Sequence, residues 1–148
     1  MHLMVSVRLA SDRFAADRRG ASAIEFAILS PIFFGLLFGI MTFGIHFGAA
    51  NSVQQLCGDI ARAAVAGVSE SERVEIAQEF LNANVGKYIL LKPDYLTVEV
   101  SDSPTEPQQF DVRVEYDASH LPTIVWTEMF HRPPPVIRSV ATVRHGGF

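Results

Sequence analysis

The chain has 148 residues and a formal net charge of −4, and hydrophobic residues make up 49% of it. The charge is spread thinly, without a basic tract, which argues against nucleic-acid binding. A single cysteine, Cys57, excludes a disulfide within the chain, so an exported domain must be held by its own core or by partners. We expect Cys57 to be a small, half-buried residue on a helix face, although a disulfide between two chains is an alternative.

The first predicted element is a polar leader over residues 1–20, without a core pattern. An ordinary secretory signal is cleaved after its apolar segment, whereas the plausible processing point here, after Gly20, comes before it. Cleavage at that point would retain the apolar segment in the mature protein. Ala21 would become the first residue, and Glu25 would become the fifth.

A membrane span is predicted next, over residues 26–50. This apolar run of about 25 residues exceeds the roughly 20 that a hydrocarbon core requires. No formally charged side chain lies between Glu25 and Asp59. Arginines precede the run and no positive charge directly follows it, so the N-terminus is predicted to be cytoplasmic and the remainder to lie outside. The run contains one proline and four glycines, which suit transmembrane helices or close helix packing: Pro31, Gly35, Gly39, Gly44 and Gly48.

Two helical patterns follow the span. The first helix should continue to Gly67, because apolar residues recur at helical spacing and glycine is a common helix stop: Val53, Leu56, Ile60 and Ala64. A second helix should open at Ser69, with Glu72 at capping-box spacing, and end at Gly86. Its predicted apolar face consists of Val74, Ile76, Ala77, Phe80 and Leu81.

The remaining chain changes to the alternating pattern of strands. Strands are predicted at 95–100, at 110–116, where alternation is strictest, and at 136–145. Residues 101–109 contain two prolines and are too many for a tight hairpin. The segment from Leu121 to Phe130 should cover one face of the sheet, as a short helix starting at Pro122, or else form an exposed docking patch.

The predicted fold class is therefore α+β, with a long N-terminal transmembrane helix and a small head that contains a helix and an antiparallel sheet of three or more strands. The predicted domains are a cytoplasmic leader over 1–20, the extended N-terminal helix over 21–67 and the head over 68–148.

No residue pattern indicates catalysis or metal binding. The five histidines, His2, His46, His120, His131 and His145, have no companions at metal-ligand spacing. Asp117, Ser119 and His120 are close in sequence, but this does not establish the geometry of a catalytic triad. We therefore predict a protein that is not an enzyme, with no cofactor, no metal and no small-molecule substrate.

Glu25 requires an explanation, because an acidic side chain inside a span costs on the order of 2.5–3.5 kcal/mol at the bilayer centre and less near the interface. Its carboxylate could extend to the cytoplasmic surface or pair with Arg18. Alternatively, cleavage after Gly20 would create a cationic amine on Ala21, which could neutralise Glu25 of a neighbouring subunit.

An ordered set of short motifs supports this last interpretation. The set consists of Arg19-Gly20-Ala21-Ser22-Ala23-Ile24-Glu25-Phe26-Ala27, Pro31, Gly39-Ile40, Phe43-Gly44, Gln55 and Ala61-Arg62. It resembles the TadE-like pseudopilins, minor subunits of the tight-adherence (Tad/Flp, type IVc) pilus system. The resemblance covers roughly residues 19–67, and the later Val112–Tyr116 strand also looks like the usual head of this family.

The resemblance implies a pilus-assembly subunit of the bacterial inner membrane that is processed by a prepilin peptidase and contacts other pilins and pseudopilins. The implied processing site is Arg18, Arg19, Gly20 and Ala21, and the implied assembly contact is Glu25 with Phe26. One position departs from the family pattern: Thr42 stands where members commonly have a second acid. The alternative is a permanently anchored envelope protein whose leader is retained and whose head binds a ligand or a partner complex.

Overall fold

The computed structural model describes residues 18–106, 108–122 and 133–144. Helix α1 covers Arg18–Ala64 and helix α2 covers Glu70–Asn84; the strands are β1 (Leu96–Asp102), β2 (Gln109–Asp117) and β3 (Val136–Arg144). These elements confirm the predicted α+β class and the antiparallel sheet. The leader before Arg18, the segment 123–132, and His2, His131 and His145 lie outside the described residues, as does the last residue of the third predicted strand.

The chain divides into two compact units, the first ending at Gly39 and the second beginning at Ile40. In the first unit, apolar side chains of α1 are exposed around the whole helix: Ile24, Phe26, Ile28, Leu29, Ile32, Phe33 and Leu36. A helix that is apolar on all sides belongs in a protein core or in a membrane. Among the described residues, Gly20–Ala64 is long and apolar enough to cross a membrane, and only 11% of its most apolar window is buried.

In the second unit, one face of α1 belongs to the hydrophobic core. The predicted helical stripe is confirmed, because all four of its residues are fully buried: Val53, Leu56, Ile60 and Ala64. The predicted end of this helix is wrong by three residues, since α1 stops at Ala64. A turn follows, in which the Gly67 amide donates to the Ala64 carbonyl at 3.1 Å.

The sheet has the order β1-β2-β3, and both strand pairs are antiparallel. The alternation predicted for the central strand is confirmed, since Phe110, Val112, Val114 and Tyr116 are fully buried. Strand β1 starts at Leu96 and not at the predicted Tyr95, because Pro93–Tyr95 forms a short 3₁₀ turn before it. It also extends to Asp102, where the register pairs it with Phe110.

Helix α2 begins as predicted but packs through different residues. The Ser69 hydroxyl accepts from the Glu72 amide at 3.3 Å, and the Glu72 carboxylate accepts from the Val68 amide at 2.9 Å. The predicted apolar face is wrong at Val74, whose side chain is 45% exposed, whereas Arg73 beside it is buried. The helix ends at Asn84 and not at Gly86, because a 3₁₀ turn, Val85–Lys87, follows it directly.

Arg73 connects α2 to the sheet and to the turn that follows α1. Its guanidinium donates to the Gly67 carbonyl at 3.0 Å and to the Asp102 carboxylate at 2.5 Å, and it lies 5.2 Å from the centre of the Phe110 ring. A buried guanidinium needs such partners, because an unpaired buried charge is strongly destabilising. Arg73 therefore fixes α2 against the rest of the head.

The Gly67→Ala substitution should destabilise the head. A Cβ at position 67 would lie 2.8 Å from Cγ and 2.9 Å from the backbone nitrogen of Arg73, which is too close for ordinary packing. We expect the free energy of unfolding to fall by about 1–3 kcal/mol, as for other overpacked sites. Thermal unfolding of the full chain in detergent, followed by circular dichroism, measures the change.

Gly58→Ala is the matched control. A Cβ at position 58 meets only Nη2 of Arg62, at the ordinary distance of 3.7 Å, and the position is inside α1. Alanine in a helix interior is favoured over glycine by roughly 0.5–1 kcal/mol, so this variant should be at least as stable as the parent. Equal stability of the two variants would contradict the packing account of Gly67.

Candidate functional site

The predicted processing segment forms the first turn of α1. Arg18 and Arg19 open the helix, and Gly20 and Ala21 are exposed. A Cβ built on Gly20 meets no atom within 4 Å. Packing within the described chain therefore gives no reason for glycine at this position, so a requirement for it would have to come from outside the fold.

Glu25 and Phe26, the predicted assembly contact, lie just beyond this turn. Both side chains are exposed, and no ion pair among the described residues involves Glu25. Ala21 and Glu25 are four residues apart in a helix, so they lie on one face, separated by about 6 Å along the axis. Both positions thus lie on one side of α1, and pairing of the Ala21 amine with Glu25 of a neighbouring subunit stays a prediction.

The glycines of the span differ in their surroundings. A Cβ on Gly39 or Gly44 would meet nothing within 4 Å, whereas a Cβ on Gly48 would lie 3.1 Å from Cδ1 of Leu90. Gly48 therefore permits a close approach by the head. The space beside Gly39 and Gly44 is open to lipid or to another helix.

Thr42, the position that departs from the family pattern, is buried. Together with Ile45 and His46 it lines a cleft of about 80 Å³. The other walls of this cleft are Ala118, Ser119, Leu121, Pro122 and residues 133–135. An acid at this position would be buried and would need a partner to offset its loss of hydration. No local sequence signal indicates the cleft, because its walls come from distant parts of the chain.

The Asp117, Ser119 and His120 side chains stabilise a turn and do not form a catalytic triad. The Asp117 carboxylate accepts from the Ser119 amide at 2.9 Å, and hydrogen bonds from the hydroxyl and amide of Ser119 hold the pKa of Asp117 below its usual value. Nδ1 of His120 donates to the Asp117 carbonyl at 2.9 Å, because a carbonyl can only accept. The His120 ring also stacks on Tyr95, with ring centres 3.9 Å apart.

No metal centre is found in the described part of the chain: no group of three or more histidine, cysteine or acidic side chains there could hold a metal ion. Cys57 is fully buried, more than predicted, and its thiol donates to the Val112 carbonyl at 3.3 Å. A disulfide to another chain requires an accessible thiol, so this fold does not favour that alternative.

The Tyr88–Lys92 loop is a feature that the sequence analysis missed. The Tyr88 hydroxyl donates to the Asp59 carboxylate at 2.7 Å, and the Tyr116 hydroxyl donates to the Leu90 carbonyl at 2.6 Å. Partial burial, followed by the hydrogen bond to Asp59 and its negative charge, raises the pKa of Tyr88 to about 12. The sequence signal that could have indicated this loop is its run of apolar residues, in a segment that is neither helix nor strand.

Comparison with known proteins identifies one related family. The sequence model described as "TadE-like protein" matches residues 20–62, which confirms the resemblance found in the sequence motifs. The matched residues lie within α1, and the head is outside them. Neither the curated proteins nor the solved structures gave a significant match to this chain.

The Tyr116→Phe substitution should loosen the Tyr88–Lys92 loop. It removes the hydroxyl that holds the Leu90 carbonyl, and a typical intramolecular hydrogen bond contributes about 0.5–1.5 kcal/mol. We expect a comparable loss in the free energy of unfolding and faster amide hydrogen exchange at residues 89–91, measured by mass spectrometry.

Tyr95→Phe serves as the control, because it also removes a tyrosine hydroxyl but keeps the ring that stacks on His120. This variant should retain parental exchange in the loop. If both variants accelerate exchange equally, the hydrogen bond from Tyr116 is not what holds the loop.

Proposed function

We propose that this TadE-like chain is a minor pseudopilin that supports assembly of a Tad/Flp-type (type IVc) adhesive pilus. In this proposal α1 anchors the protein in the bacterial inner membrane, with the N-terminus in the cytoplasm and the head outside. The observation that carries it is the position of the family match, which begins at Gly20 and includes both Glu25 and the exposed apolar part of α1.

The first step of the proposed function is removal of the leader by a prepilin peptidase after Gly20. Gly20 and Ala21 are exposed, so a protease could reach this peptide bond once the first turn of α1 unwinds. Arg18 and Arg19 precede the bond, as expected for the cytoplasmic side of a span. Cleavage there leaves the whole apolar segment in the mature subunit.

The second step is recognition between subunits through charge. Cleavage creates an ammonium group on Ala21, and Glu25 lies on the same helix face near the start of the span. In a bundle of such helices, the amine of one subunit and the carboxylate of its neighbour would form an ion pair. Because an unpaired charge in hydrocarbon is costly, only registers that pair the two charges would be stable.

The head is proposed to have a structural role. Its polar groups hold its own turns and loops, as seen for Asp117, His120 and Tyr116. The exposed Phe26 and the glycines with open space beside them are available for contacts with other subunits. These features favour assembly with other pilins and pseudopilins over catalysis.

Gly20→Leu should block processing without disturbing the fold. The position has open space for a larger side chain, so a cleavage defect would report recognition by the peptidase. We expect the cleavage rate to fall at least tenfold, equivalent to about 1.4 kcal/mol or more in the barrier, so that the mature fraction falls and the precursor accumulates. Intact mass of membrane-extracted protein, from cells that contain the peptidase, measures this fraction.

Gly44→Leu is the matched control, because a side chain at that glycine also enters open space but is far from the processing point in sequence. It should mature normally. Normal maturation of Gly20→Leu would contradict the site. Retention of the leader by the parent chain would instead favour the permanently anchored envelope protein.

Glu25→Gln should impair assembly while leaving insertion and cleavage intact. The amide keeps the size of the side chain but removes the charge that pairs with the amine. We expect recruitment into the pilus complex to fall roughly tenfold, equivalent to about 1.4 kcal/mol. Co-purification of the subunit with the assembly complex provides the measurement.

Glu75→Gln, on the exposed surface of α2, removes one negative charge elsewhere and should assemble normally. Undiminished assembly of Glu25→Gln would show that this charge does not specify the contact.

A further inference from the structure

We propose that the Tyr88–Lys92 loop is a second membrane contact, through which Ile89 and Leu90 enter the headgroup region of the bilayer that α1 crosses. The proposal rests on the membrane span of the proposed function and adds a lipid-binding surface on the head. It predicts that the head rests on the membrane and is not simply tethered to it.

The loop exposes two large apolar side chains. Ile89 is 77% exposed and Leu90 is 39% exposed, although the next residue, Leu91, is buried in the core. Burial of Leu91 anchors this end of the loop. Ile89 and Leu90 are therefore exposed on a segment that is fixed to the core. Two adjacent large apolar side chains at a loop tip form a surface suited to an apolar environment.

The loop approaches α1 near the end of the predicted span. Cδ1 of Leu90 lies 3.1 Å from the Cβ position of Gly48, two residues before the predicted end of the span at Ala50. Phe47, next to Gly48, is exposed, as expected for a side chain that faces lipid. By the predicted bounds of the span, the loop lies beside its outer end, where the headgroups begin.

The loop is held in an unfavourable backbone conformation. Leu90 has a φ of 70°, in the left-handed region that a bulky residue rarely adopts. Such a conformation persists only where the surroundings enforce it. Here the Tyr116 hydroxyl binds the Leu90 carbonyl, and Tyr88 is bound to Asp59 on α1.

The residues around the tip suit a lipid interface. Exposed Lys87 precedes the loop and exposed Lys92 ends it, while Tyr88 is part-buried and Tyr95, three residues after Lys92, is exposed. Lysine and tyrosine are characteristic of this zone, because each combines an apolar body with a polar end. Asp94 partly offsets the lysines, so contact should depend on apolar insertion more than on anionic lipid.

Depth-dependent fluorescence quenching tests the proposal in the full-length chain, reconstituted in phosphatidylcholine vesicles. Ile89→Cys, Phe33→Cys and Val74→Cys are each made with Cys57→Ala and labelled with an environment-sensitive dye. Phe33 is an exposed residue of the predicted span, and Val74 is an exposed residue of α2. Nitroxides at shallow and deep acyl positions and a water-soluble quencher report the depth of each dye.

At position 89 we expect the shallow nitroxide to quench the dye at least threefold more strongly than the deep one. The water-soluble quencher should have little effect there. Position 33 should respond to the deep nitroxide, and position 74 only to the water-soluble quencher. If position 89 behaves like position 74 while position 33 is in lipid, the loop contact is wrong and the span stands. If the water-soluble quencher quenches the dye at position 33, the predicted span is wrong, and the proposed loop contact is wrong as well.

A photo-crosslinking residue at position 89 of the otherwise native chain provides a second measurement that leaves Cys57 unchanged. Cross-linked phospholipid, identified by mass, is the expected product. Cross-links to a second subunit, without lipid adducts, would overturn the proposal in favour of a protein contact.

Discussion

Helix α1 must satisfy two environments along its length, and this constraint organises the rest of the molecule. Up to Phe47 its large apolar side chains are mostly exposed, as a membrane would require. From Ala49 onward one face is buried in the core, while Gln54 and Gln55 remain exposed. The head therefore has no core independent of α1. It is completed by the helix that also carries the proposed processing and assembly residues.

This dependence explains how a small domain without a disulfide is held together. The central strand contributes its four buried side chains to the core that also contains α1, and Arg73 joins α2 to both Asp102 and Gly67. The Tyr88–Lys92 loop is held to α1 through Asp59 and to the sheet through Tyr116. The core and the loop thus both contact the part of α1 that follows the predicted span.

The sequence predicted those features whose pattern is short-range and repeated. One-sided burial of α1 and alternation in β2 each recur several times, so the class and the order of elements followed from them. Burial of Arg73 depends on Asp102, which is distant in sequence, and helical spacing alone selected Val74 instead. The Gly67 contact and the exposed Ile89 also arise from tertiary approach. For the candidate site, motifs identified Gly20 and Glu25, but their proposed partners belong to other molecules.

The most direct test of the account is the mass and N-terminal sequence of the native protein that resists alkaline extraction from membranes. Cleavage after Gly20 predicts a membrane-bound chain that starts at Ala21 and retains the whole apolar segment. A membrane-bound chain that still carries residues 1–20, or a released chain cut after the apolar segment, would contradict it.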